Sequence, residues 1–220
     1  VLDIHYYPED VFRAGTDDAT AARRLRSTRS LWDPSYSDES WIDTPITLIP
    51  RMHQLIEQHY PGLKLGITEW NWGAEEHISG GLAVADVLGI FGREGVYLAN
   101  YWTHPPAGSP AYQAFKLYTN YDGAGGRFGD SSVAAASSAE SLSAYAATDT
   151  ASGELTLMLV NKDLANAQPV TLDLRNLATS GAATRYSFSQ AAPGAIAEEP
   201  FDLSAGSSLT LPAGSATLLV

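Results

Sequence analysis

The sequence predicts a protein in two parts, α/β followed by all-β. Residues 1–123 read as βα units of a (β/α)8 TIM barrel, and residues 124–220 as an antiparallel β-sandwich. Strand-like and helix-like runs alternate through the first part. Polar and aromatic residues collect at the carboxyl end of each of its strands (His5 to Tyr7, Glu69 to Trp72, Tyr101 to His104), where barrel enzymes place catalytic groups. All five tryptophans and all five histidines precede residue 123, beyond which Ala, Ser, Thr and Gly prevail.

In chain order, VLDIHYY (1–7) is a short run of β character. Residues 8–44 are polar and too long for an ordinary connection, which points to a functional loop. Pro45 to Tyr60 sets Ile46, Ile49, Met52, Leu55, Ile56 and Tyr60 near helical spacing, and Pro61-Gly62 ends that helix. LKLGITEW (63–70) is the second strand, Gly80 to Gly95 a nearly all-apolar helix closed by glycine, and VYLANYW (96–102) the third strand. Ser109 and Pro110 supply the N-cap and first residue of a further helix. The glycine-rich NYDGAGGRFGD (120–130) then marks a linker. Such βα units in series imply parallel strands with right-handed crossovers. Beyond the linker, SLSAYAATD, GELTLMLVNK, QPVTLDLRN, ATRYSFSQ and SSLTLPAGSATLLV alternate and are split by turn residues, the pattern of antiparallel strands.

The 220 residues are 45% hydrophobic and 17% charged, a globular composition with enough chain for a sizeable core. The net charge is −12 and RRLRSTR (23–29) is the one basic cluster, which argues against nucleic acid as a partner and suits a neutral ligand. No run reaches the ~20 apolar residues of a membrane helix. The absence of cysteine excludes disulfides, thiol catalysis and zinc–thiolate sites. The chain opens on a strand already under way, without methionine or leader, and is expected to be a piece of a longer protein.

ITEWNW (67–72) carries the chemistry. A glutamate between a β-branched run and two indoles is costly to bury unless it is paired, hydrogen-bonded or at work. Residues two apart on a strand share a face, so His5 and Tyr7 point together, as do Glu69 and Asn71. With the first two strands as neighbours, His5 and Tyr7 can hydrogen-bond Glu69 and hold it ionised, as a nucleophile requires. Trp102 ends the third strand and can floor a sugar site. Each residue also has a structural reading: an ion-paired glutamate, a core histidine, a tryptophan packed between sheet and helix. The loop carboxylates Asp33, Asp38, Glu39 and Asp43 offer oxygens to a structural calcium ion but follow no EF-hand spacing; they read as solvated charges and turn formers.

Several stretches resemble glycoside hydrolase family 44: LDIHYYPED, RSTRSLWDPSYSDESWI, ITEWNWGAEEHISGGLAVADVLGIFGREG, YLANYWT and KLYTNYDGAGGRFGDSSVAA. The resemblance spans residues 2–160 and implies a secreted, retaining endo-β-1,4-glucanase or xyloglucanase, acting on β-glucan without a cofactor. It implies the C-terminal part of the catalytic barrel, about strands 6 to 8, followed by the family's β-sandwich. The family's nucleophile falls on Glu69. Its His-x-Tyr strand falls on His5 and Tyr7, its last-strand tryptophan on Trp102, and its cleft-lining loop tryptophan on Trp32. Trp70, Asn71 and Trp72 of the nucleophile motif are expected to bind substrate with them.

Retaining hydrolysis needs a second carboxyl roughly 5 Å from the nucleophile. In the family that glutamate ends the fourth barrel strand, upstream of this chain's first residue, and neither Glu75, Glu76, Glu9 nor Asp10 is expected to replace it. The missing barrel segment, in the same longer protein or another chain, is therefore an expected partner. The rival reading is a non-catalytic glycan-binding protein that uses the cleft aromatics alone.

Overall fold

Apolar runs of two periodicities separate this chain into two kinds of layer. The computed structural model describes residues 1–13, 15–176, 181–204 and 206–220. Strands β1 (Leu2–Tyr6), β2 (Leu65–Trp70) and β3 (Leu98–Tyr101) form an open parallel sheet in the order β1-β2-β3. Helices α1 (Asp18–Ser27) and α2 (Leu48–His59) lie between β1 and β2, α3 (Ile78–Arg93) follows β2, and α4 (Pro110–Thr119) follows β3. Among the described residues β1 and β3 each pair on one side only.

The long polar stretch is not a plain loop. It contains α1 and a 3-10 turn at Thr28–Leu31. Asp17 caps α1 by accepting from Thr20 N–H at 3.0 Å. The apolar signal was weak because the buried face of α1 is Ala21, Arg24, Leu25 and Ser27, half of it polar. α4 begins as expected, with Ser109 accepting from Tyr112 N–H at 3.1 Å ahead of Pro110.

α3 is buried on nearly every side, since the parallel sheet, α1, α4 and the second sheet all touch it. Glycines allow that crowding. A Cβ at Gly89 would lie 2.2 Å from Tyr145 Cδ2. Gly89→Ala is therefore expected to destabilise the fold by about 1–3 kcal/mol, read as a lowered denaturant midpoint at unchanged slope.

From residue 131 onward the regular elements among the described residues are strands. β4 (Ser131–Val133), β5 (Leu142–Thr148), β6 (Leu155–Asn161), β8 (Gly181–Ser189), β9 (Ala192–Leu203) and β11 (Ser215–Leu219) form one antiparallel sheet, in the order β4-β5-β6-β11-β8-β9. β7 (Gln168–Thr171) and β10 (Ser208–Leu211) form a separate antiparallel ribbon. The sequence reading lacked β4 and β9 and ran β10 and β11 together. β9 was missed because glycine, two prolines and three acidic residues break its alternation.

β6 and β11 are buried along their whole length because both faces of the large sheet are covered. Leu155, Leu157, Leu159 and Leu219 face Leu172, Leu209 and Leu211 beside and within the ribbon. Met158, Val160, Phe188 and Leu218 join the core built around α3. Asp86 of α3 joins the layers from inside: its carboxylate accepts from Tyr145 Oη at 2.7 Å and Thr28 Oγ1 at 2.7 Å, and pairs with Lys162 Nζ at 3.2 Å.

Candidate functional site

The site forms where β1, β2 and β3 end. Straight alternation along β2 would put Glu69 on the face of Leu65 and Ile67, both buried against helices. The pairing shows otherwise. Ile4 pairs with Ile67 and His5 with Glu69, while Ile67 pairs with Ala99 and Trp70 with Tyr101, so β2 carries one extra residue against both neighbours. This bulge turns Glu69 to the open face of the sheet and returns Trp70 to the core.

Glu69 Oε2 accepts from Tyr7 Oη at 2.9 Å and lies 3.3 Å from His5 Nδ1. Burial and the Glu69 carboxylate push the Tyr7 phenol up to about 12, so it stays a proton donor to Glu69 at any working pH. Tyr7 leans on Phe12, with ring centroids 5.3 Å apart. These two residues line a cleft with Asn71, Glu75, His77, Trp102 and Pro106. Trp102 is 52% exposed.

Other expected substrate contacts are corrected. Trp70 and Trp72 are 1% and 0% exposed, and a ring without accessible surface cannot stack on a ligand. Trp70 packs edge-on against Phe91 and Tyr101, and Trp72 lies tilted against Tyr6. Trp72 Nε1 donates to Ser27 Oγ at 3.0 Å. Trp32 stands at the wrong end of α3: its ring lies under Arg93, 4.3 Å from the guanidinium carbon. That arginine ends a helix whose start borders the cleft, and a rise of 1.5 Å per residue puts the two ends roughly 22 Å apart. Asn71 borders the cleft but donates inward, to Glu75 Oε1 at 2.9 Å and to the Trp102 carbonyl, so both its N–H groups are engaged.

Of the four loop carboxylates, Asp33 and Asp38 are turn formers shut off from solvent, while Glu39 and Asp43 are exposed as expected. Asp33 and Asp38 are buried, accepting from the backbone N–H of Ser35 (2.8 Å) and of Ser40 (3.0 Å), and Glu39 pairs with Arg26 at 2.7 Å. Among the described residues no three His, Asp or Glu side chains are grouped to hold a metal ion.

Sequence reasoning passed over Arg24, which looked like one more surface charge in RRLRSTR. It is fully buried and donates to the carbonyls of Val11, Arg13, Gly15 and Trp72 and to Ser79 Oγ. One guanidinium thus ties the segment after β1 to the end of β2 and the start of α3. Burial and the nearby Arg24 charge hold the His77 imidazole below its ordinary value. His77 is therefore neutral at pH 7, and its Nδ1 caps α3 by accepting from Ser79 N–H.

No family model matches the chain. Endoglucanase A of Paenibacillus lautus is 42% identical over 203 residues, covering 86% of this chain and 29% of that protein. The crystal structure of CelM2, a bifunctional glucanase-xylanase from a metagenome library, is similar with a TM-score of 0.94 at 46% identity, over 99% of this chain and 42% of that one. A xyloglucanase of glycoside hydrolase family 44 from Paenibacillus polymyxa gives a TM-score of 0.89 at 35% identity, over 99% and 45%. The chain thus spans less than half the length of each of these relatives. Similar in sequence and in backbone from end to end to such enzymes, the chain belongs to glycoside hydrolase family 44.

Proposed function

We propose that this chain carries the nucleophile of a secreted, retaining endo-β-1,4-glucanase that acts on cellulose-type glucan or xyloglucan. The observation that carries the reading is Glu69, aimed by a bulge onto the open face and held by Tyr7 and His5. Its Oε2 accepts the Tyr7 hydrogen bond, with His5 Nδ1 close beside it, and this orients the carboxylate for attack on an anomeric carbon. The C–O bond to the leaving sugar breaks as the glycosyl–Glu69 ester forms, and the leaving oxygen takes a proton from a general acid. Water, deprotonated by the same group, then cleaves the ester and frees Glu69. Such chemistry needs no cofactor.

The acid/base carboxyl is assigned to a segment outside these residues. Glu75 is read instead as a link between two strand ends, its Oε1 accepting from Asn71 and Tyr101. The three parallel strands are read as strands 6 to 8 of a (β/α)8 barrel, with the boundary to a β-sandwich near residue 123. The open edges of β1 and β3 suit the pairing that closure of a barrel requires. Names of relatives that act on glucan and xyloglucan support the substrate class.

Treatment of the full-length protein with a 2-fluoro cellobioside should leave a glycosyl label on the peptide containing Glu69; a label on another carboxylate sinks the assignment. The 220 residues alone should not hydrolyse carboxymethylcellulose or xyloglucan, and co-expression with the upstream segment should restore turnover. Hydrolysis by the isolated chain would mean that a local residue is the acid.

A further inference from the structure

We propose that Glu75 is a positioning residue that sets the orientation of Trp102 in the cleft, an inference that rests on the function proposed above. The loop bearing Glu75 is held from both sides. Its carbonyl accepts from Ala111 N–H at 3.2 Å, at the start of α4. On the α3 side, a Cβ at Gly80 would lie 2.1 Å from the Ala74 carbonyl oxygen, which shows how closely that helix presses on the same loop. The carboxylate therefore stands on a fixed base.

From there Glu75 Oε1 joins two strand ends. It accepts from Tyr101 Oη at 2.8 Å, at the end of β3, and from Asn71 Nδ2 at 2.9 Å, just past β2. The Tyr101 ring is wedged between Trp70 and Phe115, at centroid distances of 4.8 and 5.2 Å, so its hydroxyl can reach little else. Asn71 cannot turn away either, because its Oδ1 accepts from Gly73 N–H at 2.6 Å. The second N–H of the same amide donates to the Trp102 carbonyl, and Trp102 N–H donates to the Trp70 carbonyl at 3.0 Å. Trp102 is thus gripped through its backbone on both sides, while the residue as a whole is half exposed and lines the cleft.

The backbone sets the direction of the Trp102 Cα–Cβ bond and the rotamers open to it, so where this exposed indole stands in the cleft follows that backbone. A ring that stacks on a pyranose must be set before ligand arrives, or ordering it is charged against binding. Removing the Glu75 carboxylate strands a half-buried phenol and releases the Asn71 amide, loosening the grip on Trp102. Glutamine keeps a carbonyl oxygen able to accept from both donors.

The test is a double-mutant cycle in the full-length protein, following cellotetraose binding by tryptophan emission in a Glu69→Gln background and hydrolysis in the native background. Glu75→Ala should raise the cellotetraose Kd and the KM about tenfold and move kcat less than about threefold. Glu75→Gln should restore both to within about twofold. Tyr101→Phe, which keeps the ring packing, should give a smaller loss in the same direction and serves if Glu75→Ala fails to fold. In a Trp102→Ala background, Glu75→Ala should add no further loss. Additive losses, an unchanged Kd in Glu75→Ala, or a Glu75→Gln variant as inactive as Glu69→Gln would overturn the inference. Intact binding without any hydrolysis by the native protein would instead overturn the proposed enzyme and leave the coupling between Glu75 and Trp102 readable.

Discussion

Glu69→Gln in the full-length protein is expected to abolish hydrolysis, with kcat falling by at least about 10³-fold and the Kd for oligosaccharide little changed. The amide is nearly isosteric, so the fold should tolerate it, yet it cannot form the glycosyl ester. Tyr7→Phe separates orientation from chemistry. It removes a 2.9 Å hydrogen bond to a charged acceptor. Bonds of that kind contribute about 1.5–3 kcal/mol, so kcat/KM should fall roughly 10- to 100-fold. Stopped assays on an aryl cellobioside and on xyloglucan would measure both. A Glu69→Gln enzyme that keeps its turnover refutes the assignment of the nucleophile, whatever Tyr7→Phe does.

Asp86→Ala should cause the largest loss of stability, about 3–5 kcal/mol, because it leaves the Lys162 ammonium nearly buried without its partner. Asp86 also predicts a pH dependence. Burial alone would push its carboxyl up, but Lys162 and the hydroxyls of Ser143, Tyr145 and Thr28 outweigh it and hold the group below the ordinary aspartate value. A carboxylate depressed by folding stabilises the native state at every pH above the unfolded value, near 3.9. That contribution fades as pH falls below about 4 and is lost through the folded value. Urea midpoints of the full-length protein measured from pH 7 to pH 2.5 should therefore drop on the acid side. Asp86→Asn should start lower and fall less steeply. An Asp86→Asn protein with the slope of the parent would show that other carboxylates govern acid unfolding.

Local chemistry made much of the architecture readable. Ser109-Pro110 announces α4 because a hydroxyl cap and a fixed φ act within one turn. The glycine-bounded apolar run announces α3, and period-two leucines announce β6. α1 stayed hidden because its buried face includes Arg24, whose burial depends on carbonyls supplied by two other segments. β9 stayed hidden because pairing with β8 overrides a composition poor for strands.

The sequence by itself determined which residues meet at Glu69. His5, Tyr7 and Glu69 meet because strand ends gather at one edge of a parallel sheet, a consequence of βα order alone. The tertiary structure decided which aromatics are free to touch a ligand. Alternation of Trp70 and Trp72 with Glu69 and Asn71 gives no exposure, because exposure depends on α3 and α4 closing over one face. Trp32 went astray for the same reason, since a loop's sequence does not say toward which end of a helix it travels. The bulge at Thr68 and Glu69 belongs to the tertiary level too. A strand acquires an extra residue only relative to its neighbours, and that one residue moves Glu69 from the packed face of the sheet to the open one.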